Sequence, residues 1–510
     1  MFGDGFVLVK GGDGEKTMLK LCLSMIFGPL LLSSALAGDL PNILFITVDD
    51  MNADSVGVFG CPVKNTTPNL DKLAGQGIRF EHAHVQVANC TPSRNVFQTG
   101  RYPHNSGVEG FYDVEVDFPI LPDLLKAKGY RTGIWGKVSD TTPRSNYAWD
   151  EVINIRGKGM LKNAEAVGEA TLAFIRKSQS EGKPFYLIMN ITDPHHPLFG
   201  SKASQKSGYD LYPPSHVYTP EEIVVPGFLP DLPGVRDEVA QYYSSVRRAD
   251  DIAGSILQAL EESGVMENTI VIFISDHGMP FPFAKTNLYR HSTRTPWMVR
   301  YPGVIRPDSV DSQHMVSAID FMPTILEICG IELPEGLDGR SMVPLLKGEP
   351  QEGRDRVFTE YHENSGGIRN PMRAIETKRF GYVFNPWSDG MRVFKSATLH
   401  SDSYKAMKAA GASDEEIAAR VEFFNHRVVE ELYDYEKDPD ALNNLIDNPE
   451  YADVVNRMRK ELAAHMEQTG DAASGVFEDR DSVEARHAFI KAEEEKAAKM
   501  NNSELGRKRN

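Results

Sequence analysis

The sequence predicts an α/β protein, with a mainly parallel sheet covered by helices on both faces and a smaller C-terminal α+β domain. Three observations carry that expectation. Continuous apolar, β-branched runs recur at residues 41–48, 185–191 and 269–275, with helical patterns between them. A strand that is apolar along its whole length is buried on both faces, as in parallel sheets sandwiched by helices. Each run also stops at a cluster of acids or histidines, and in such sheets ligands bind beyond the carboxyl ends of the strands. Finally, 510 residues with 41% hydrophobic and 25% charged side chains have the composition of a globular protein with ample core. Disorder throughout, collagen and coiled coil are excluded.

Along the chain, residues 19–37 are apolar, follow Lys16 and Lys20, and end in Ala35-Leu36-Ala37. A basic flank, a short apolar core and an A-x-A end predict a secretory signal peptide at 18–37, with Met18 as an alternative start after a Gly-rich 1–17. Pro29 and the small residues Ser33 and Ser34 argue against an uncleaved anchor, so the mature protein is expected to be exported, with no stable membrane insertion. Cys22 leaves with that segment, and Cys61, Cys90 and Cys329 remain. An odd count leaves at least one thiol unpaired or chemically committed, and Cys61 and Cys329 either pair or lie buried singly.

The first strand ends at Asp49-Asp50, the 185–191 strand at Asp193-Pro194-His195-His196, and the 269–275 strand at Asp276-His277-Gly278. Helices are expected at 122–128 and 239–263. These elements make up a domain from 39 to 345. From 346 to 479, short strands at 356–361, 372–375 and 380–384 and charged helices at 414–424 and 451–469 predict the smaller domain. Residues 480–510, rich in Ala, Glu and Lys, read as a solvated helix or a frayed tail.

The net charge of −17 (55 basic, 72 acidic residues) excludes non-specific nucleic-acid binding but leaves room for an anionic substrate in a locally basic pocket. Cys90-Thr91-Pro92-Ser93-Arg94 is the sharpest local signal. A lone cysteine is usually a buried hydrophobe, but here Pro92 and Arg94 set Cys90 in a turn entering a helix, beside a fixed cation. Asp49, Asp50 and Asp276 offer hard oxygen donors, which suit Ca²⁺ or Mg²⁺ better than zinc; Asp49-Asp50 alone would equally fit a helix cap or a solvated loop. His277 either ligates or supports a ligating carboxylate. His195 is placed to act as a general acid, its alternative being a hydrogen-bonded loop histidine.

Cys-x-Pro-Ser-Arg resembles the signature of the type I sulfatases, whose cysteine is oxidised to formylglycine by a dedicated maturation enzyme. Asp49-Asp50 and Asp276-His277-Gly278 resemble that family's calcium ligands. Glu431-Leu432-Tyr433-Asp434, with Lys437-Asp438-Pro439 and Asn444-Leu445, is similar to its C-terminal hallmark. The resemblance runs from Pro41 to about Thr469. Within the family it is nearest the heparan N-sulfatase (sulfamidase) type, through Pro280-Phe281-Pro282, Thr286-Asn287-Leu288-Tyr289, Pro371-Met372-Arg373 and the 212–233 segment.

The resemblance implies an alkaline-phosphatase-like fold, one Ca²⁺ (Mg²⁺ less so) held by Asp49, Asp50, Asp276 and His277, and formylglycine at position 90. It implies Cys90, Arg94, Lys137, His195 and Lys285 as catalytic residues, the cations surrounding a transition state whose charge collects on oxygens. Hydrated formylglycine offers one hydroxyl to attack sulfur and another to drive sulfate out. His196, Arg101, His104, His362, Glu363 and Arg373 are the candidate sugar contacts. The implied substrate is a sulfated saccharide, an N-sulfoglucosamine or a sugar O-sulfate. One departure stands out: Ser139, followed by Asp140, replaces a histidine many sulfatases carry two residues after the lysine. Two rival readings are a phosphoesterase or phosphonate hydrolase on the same fold, and an exported glycan-binding protein without catalysis.

Overall fold

The computed structural model describes residues 40–503. The predicted signal peptide lies outside them. Eight strands form the large sheet: β1 (Asn42–Val48), β2 (Ile78–His84), β3 (Arg131–Trp135), β4 (Glu151–Val152), β5 (Phe185–Ile191), β6 (Thr269–Ser275), β7 (Trp297–Arg300) and β8 (Ser309–Ser317). Their spatial order is β4-β3-β5-β1-β6-β7-β2-β8. Pairing is parallel except at β7, which runs antiparallel to both β6 and β2. The carboxyl ends of β3, β5, β1 and β6 therefore lie side by side along one edge.

Alternation along β1 fills two cores at once. Leu44, Ile46 and Val48 belong to the cluster that also takes in Phe174, Ile175, Val239, Val246 and Ile252 from the helices Ala164–Ser180 and Pro233–Glu262. On the opposite face Phe45 stacks on Phe321 at 4.3 Å and meets Phe97 edge-on at 5.4 Å, from the helices Phe321–Ile328 and Cys90–Thr99. Both faces are thus covered, as continuous apolar strands require. Truncating Phe45 to Ala in such a core costs about 3–5 kcal/mol.

The second sheet is antiparallel, in the order β12-β11-β10-β9, from β9 (Arg356–Glu363), β10 (Arg369–Thr377), β11 (Phe380–Phe384) and β12 (Glu430–Asp434). Among the described residues, those from 41 to 503 cluster as one compact unit. The main core cluster includes Tyr361, Met372, Ala374, Phe424 and Tyr433 from the second sheet and its helices. Arg290 also reaches across to Glu376 at 2.5 Å, and the Tyr289 hydroxyl donates to Glu431 at 2.8 Å.

Two readings left open by the sequence are resolved here. The segment beyond 480 forms the helix Val483–Asn502, which is neither fully solvated nor frayed: it buries Ile490, Ala497, Arg486 and Glu493, and its Lys496 bonds Glu109 at 2.7 Å. Its apolar side is narrow, which is why composition alone suggested a solvated element. Cys61, Cys90 and Cys329 are all free thiols, Cys329 sitting 3.2 Å from the Tyr130 hydroxyl, so Cys61 and Cys329 lie singly.

Candidate active site

Cys90 is the first residue of the ten-residue helix Cys90–Thr99, every residue of which is buried. Its Sγ lies 3.4 Å from His277 Nε2 and 3.7 Å from Lys285 Nζ. Burial pushes the thiol up to about 12, outweighing the lysines Lys285 and Lys137 beside it. The unmodified side chain is therefore a neutral thiol at physiological pH and a poor nucleophile.

Around it the strand ends deliver their acids. Asp49 and Asp50 follow β1, Asp276 follows β6, and all three are fully buried. Arg94, one turn along the helix from Cys90, forms a close ion pair with Asp49 and sits 3.1 Å from Asp276 Oδ2. Its other amine donates to Thr47 Oγ1 at 2.7 Å and Asn190 Oδ1 at 2.6 Å. Lys137 reaches Asp49 Oδ2 at 2.8 Å, and Lys285 donates to both oxygens of Asp50 at 2.8 and 2.9 Å. Burial pulls both lysines' pKa values down, but Asp49 for Lys137 and Asp50 for Lys285 more than offset it, so both ammonium groups stay charged. Burial raises all three carboxyls. Arg94 and Lys137 overcome it at Asp49, and Lys285 brings Asp50 to about 2; Asp276, facing Asp49 as well, ends well above the usual range.

The donor set fits a hard divalent cation. Asp50, Cys90 and His277, and likewise Asp49, Cys90 and Asp276, bring ligand atoms within 4.8 Å of one another. Oδ2 of Asp49 and Oδ2 of Asp276 are both buried, facing Lys137 and Arg94 respectively. His277 adds a specific clue. Its Nδ1 is 3.0 Å from the Gly278 carbonyl, to which it must donate, while burial lowers its pKa to about 4 and keeps the ring neutral. Nε2 therefore turns a lone pair toward Asp50 Oδ1 at 3.2 Å and Asp276 Oδ1 at 3.7 Å. Lone pair facing carboxylate is repulsive, and a cation between them removes the repulsion.

The backbone is strained where these groups meet. Asp50 (φ 64°), Lys137 (45°), Phe283 (68°) and Thr286 (64°) all adopt the left-handed region. Each costs roughly 1–3 kcal/mol and persists only when its surroundings over-determine it. Gly136 precedes Lys137 because a Cβ there would lie 2.2 Å from the Asn190 carbonyl oxygen, and one on Gly278 would lie 2.1 Å from that of His291.

Cys90, Lys137, His195 and Lys285 share the floor of a cavity of about 1090 Å³. Its walls include His196, Lys202, Glu238, Gln241, His400 and Lys405, giving four lysines against the acids Glu238 and Asp402. His195 bonds the His196 carbonyl through Nδ1 at 2.5 Å; burial first, then Lys285 and Lys137, lower its pKa to about 3. In the free cavity it is neutral, and only a bound anion that cancels the lysines equips it to donate a proton. Asp193 beneath it is fully buried, paired with Lys162 at 2.7 Å and Arg248 at 2.7 Å.

Five predicted sugar contacts do not reach this cavity. Arg101 stacks on Phe118 at 4.1 Å and donates to the Glu335 carbonyl at 2.6 Å. His104 holds Glu360 at 2.5 Å, and His362 lies 3.2 Å from the same carboxylate. Glu363 pairs with Arg369 at 3.0 Å, and Arg373 is locked onto Asp471. The last four make a buried ion network with Glu360, Glu109, Arg369 and Asp471, so their charge serves the join between the second sheet and the rest of the fold. Only His196 of the six lines the cavity. Beside the departure at Ser139, Asp140 accepts from Thr91 Oγ1 at 2.9 Å and so steadies the first turn of the Cys90 helix.

Sequence reasoning missed Thr47, Asn190, Lys162, Arg248, Glu238, Lys202 and Lys405. Arg248 had a readable signal: it falls on the same stripe of its helix as Ser245 and Ile252, a charge at a core position. Thr47 and Asn190 are single polar positions inside strands, Lys162 ends a 3-10 turn, and Glu238, Lys202 and Lys405 stand on helices where a charge is ordinary.

Residues 41–331 match the Sulfatase family, and residues 276–402 match the family described as N-sulphoglucosamine sulphohydrolase, C-terminal. Human N-sulphoglucosamine sulphohydrolase is 30% identical over 478 residues, covering 86% of this chain and 93% of that protein. An ulvan-active sulfatase of Formosa agariphila is 26% identical, covering 88% and 85%. A structure solved in complex with its substrate D-glucosamine-2-N,6-O-disulfate has a TM-score of 0.64 at 19% identity, covering 85% of this chain and 99% of that one. The phosphonate monoester hydrolase of Agrobacterium radiobacter scores 0.61 at 19% identity, covering 84% and 96%. At that identity the two structures speak for a shared fold, and the fold alone does not separate sulfate from phosphonate chemistry.

Proposed function

This chain belongs to the sulfatase family, and from that premise we propose that it hydrolyses sulfate from a saccharide through formylglycine at position 90 and one bound Ca²⁺. The observation that carries the reading is the floor of the cavity. A buried, neutral Cys90 at a helix N-terminus is ringed by Arg94, Lys137, Lys285 and the Asp49, Asp50, Asp276 and His277 donor set. An unmodified thiol held near a pKa of about 12 has little chemistry there, whereas hydrated formylglycine supplies a hydroxyl nucleophile in the same position. Asp49, Asp50, Asp276 and His277 are the residues that would hold the cation, which when bound neutralises sulfate oxygens and polarises a hydroxyl.

The chain's own residues then do the following. Lys137 and Lys285, both kept charged, point ammonium groups at the floor where the sulfate oxygens come to rest, so charge developing in the transition state meets fixed donors. Arg94 holds Asp49 and Asp276 in register rather than meeting substrate, since its amines are consumed by Asp49, Asp276, Thr47 and Asn190. His195 takes up a proton as the anion binds and returns it to the leaving oxygen or nitrogen. The excess of lysines in the cavity of a chain with net charge −17 fits an anionic substrate.

An N-sulfated or O-sulfated glucosamine unit is the proposed substrate class, supported by the second family match and by the human relative. Export and a formylglycine-generating partner complete the proposal; among the described residues no helix is long and apolar enough to cross a membrane. The test is release of inorganic sulfate from N-sulfoglucosamine and glucosamine O-sulfates, side by side with a phosphonate monoester. Sulfate release abolished by Cys90→Ala supports the reading; preferential phosphonate hydrolysis would overturn it.

A further inference from the structure

Of the described residues that line the active-site cavity, Phe111 alone is a Phe, Tyr or Trp; lysines, histidines and serines supply most of the polar groups around it. A single half-exposed phenylalanine is ordinary on a protein surface. What sets this one apart is how the chain on both sides of it is held. Residues 108–110 and 112–114 are buried, and Phe111 between them is not.

Before the ring, the Glu109 carboxylate accepts from Arg369 at 2.9 Å and from Lys496 at 2.7 Å. Gly110 then passes so close to Glu363 that a Cβ would lie 1.8 Å from its Oε1, and Glu363 is itself held by Arg369 at 3.0 Å. After the ring, Tyr112 packs with Val108 and Val114 against Met500, while Asp113 accepts the Ser145 N–H at 2.9 Å and its hydroxyl at 2.8 Å. Phe111 is not part of that cluster, and no aromatic ring among the described residues stacks on it. Anchors from β10, from Ser145 and from the helix Val483–Asn502 thus fix the loop and leave one ring facing the cavity, so the ring is preorganised. Glu363 also ties that ring to the nucleophile. Its backbone carbonyl accepts from Asn89 Nδ2 at 2.9 Å. The end of β9 therefore touches the residue before Cys90 and the residue before Phe111, and Cys90 and Phe111 line the same cavity.

A pyranose presents hydroxyls and charged substituents around its rim and C–H groups on its faces. Lysines, histidines and serines suit the rim; a flat hydrocarbon ring suits a C–H face. We propose that Phe111 is a specificity-determining residue, the platform on which the sugar ring bearing the sulfate lays its C–H face. This deepens the saccharide-sulfatase reading and rests on it. A bare sulfate ion reaches the cavity floor without using the platform.

The experiment is steady-state sulfate release from N-sulfoglucosamine and glucosamine 6-sulfate by the parent protein, Phe111→Ala, Phe111→Leu and Phe111→Tyr, with inhibition by inorganic sulfate measured alongside. Stacking and the apolar area it covers are worth about tenfold in affinity, so Phe111→Ala is expected to raise KM about tenfold while kcat moves less. Phe111→Leu keeps bulk without a flat face and is expected to follow Phe111→Ala; Phe111→Tyr keeps the ring and is expected to stay near the parent. Inorganic sulfate has no ring to stack, so its inhibition constant is expected to be the same in all four proteins. Thermal melts establish that each variant is folded. In an active parent, KM unchanged in Phe111→Ala, or Phe111→Leu as good as the parent, overturns the platform alone, as does sulfate inhibition that weakens in step with KM. A parent protein that releases sulfate from neither sugar overturns the functional reading and the platform with it.

Discussion

Asp193 sits under the cavity without lining it, and replacing it by Asn tests how the fold holds the chemistry. Its carboxylate is fully buried between two cations, Lys162 at 2.7 Å and Arg248 at 2.7 and 3.1 Å, and its backbone carbonyl accepts from the Asp49 N–H at 3.3 Å. At an effective dielectric of 20, a unit charge pair at that separation is worth about 6 kcal/mol gross, most of it offset by desolvation. Removing the one anion strands both cations, and breaking a buried pair in this way costs about 3–5 kcal/mol. Since His195 lies two residues on, even a 1 Å displacement of its ring lowers turnover by about 10²-fold. Urea unfolding and kcat measured on Asp193→Asn, Lys162→Met and the double variant provide the assay. The double variant should recover part of the loss, because it strands one cation instead of two. Asp193→Asn within 1 kcal/mol of the parent, with normal kcat, would refute the reasoning.

Other perturbations have equally definite outcomes. Lys285→Ala should lower kcat by about 10²–10³-fold, the effect of deleting one oxyanion donor, in a sulfate-release assay. Chelation should lower both melting temperature and activity, with Ca²⁺ restoring them more fully than Mg²⁺, and Asp276→Asn should abolish that response in a thermal melt. Burial raises Glu363 from 4.5 to about 7, so the folded state keeps a proton the unfolded state has lost. Its contribution to stability is complete below pH 4.5 and disappears as pH rises through 7, about 3 kcal/mol in all. Glu363→Gln should therefore gain on the parent protein between pH 5 and 8 in a series of urea melts, and parallel curves would show that the proton is not held.

The three long strands were legible because burial on both faces leaves an unbroken apolar run, and Asn42–Val48, Phe185–Ile191 and Thr269–Ser275 fall where those runs lie. Their neighbours were harder. The antiparallel Trp297–Arg300 is only four residues long, and Glu151–Val152 only two, too short for any period to register. At the floor of the cavity, Cys90, Asp49, Asp50, Asp276 and His277 were readable because each follows a strand or opens a helix within a local motif. His362, Glu363 and Arg373 were misread for the opposite reason: a charged residue in a strand looks the same in sequence whether it meets a ligand or a buried partner. Asp471 and Glu493, which with Glu360 and Glu109 make the difference here, lie roughly a hundred residues away.

The most direct test of the account is the mass of the Cys90-containing peptide from protein made in a cell with a formylglycine-generating system. The account predicts a peptide about 18 Da lighter than the cysteine form, or of equal mass when hydrated but reactive toward aldehyde reagents. A peptide that keeps its thiol and remains inert to such reagents, in protein that still releases sulfate, would contradict it.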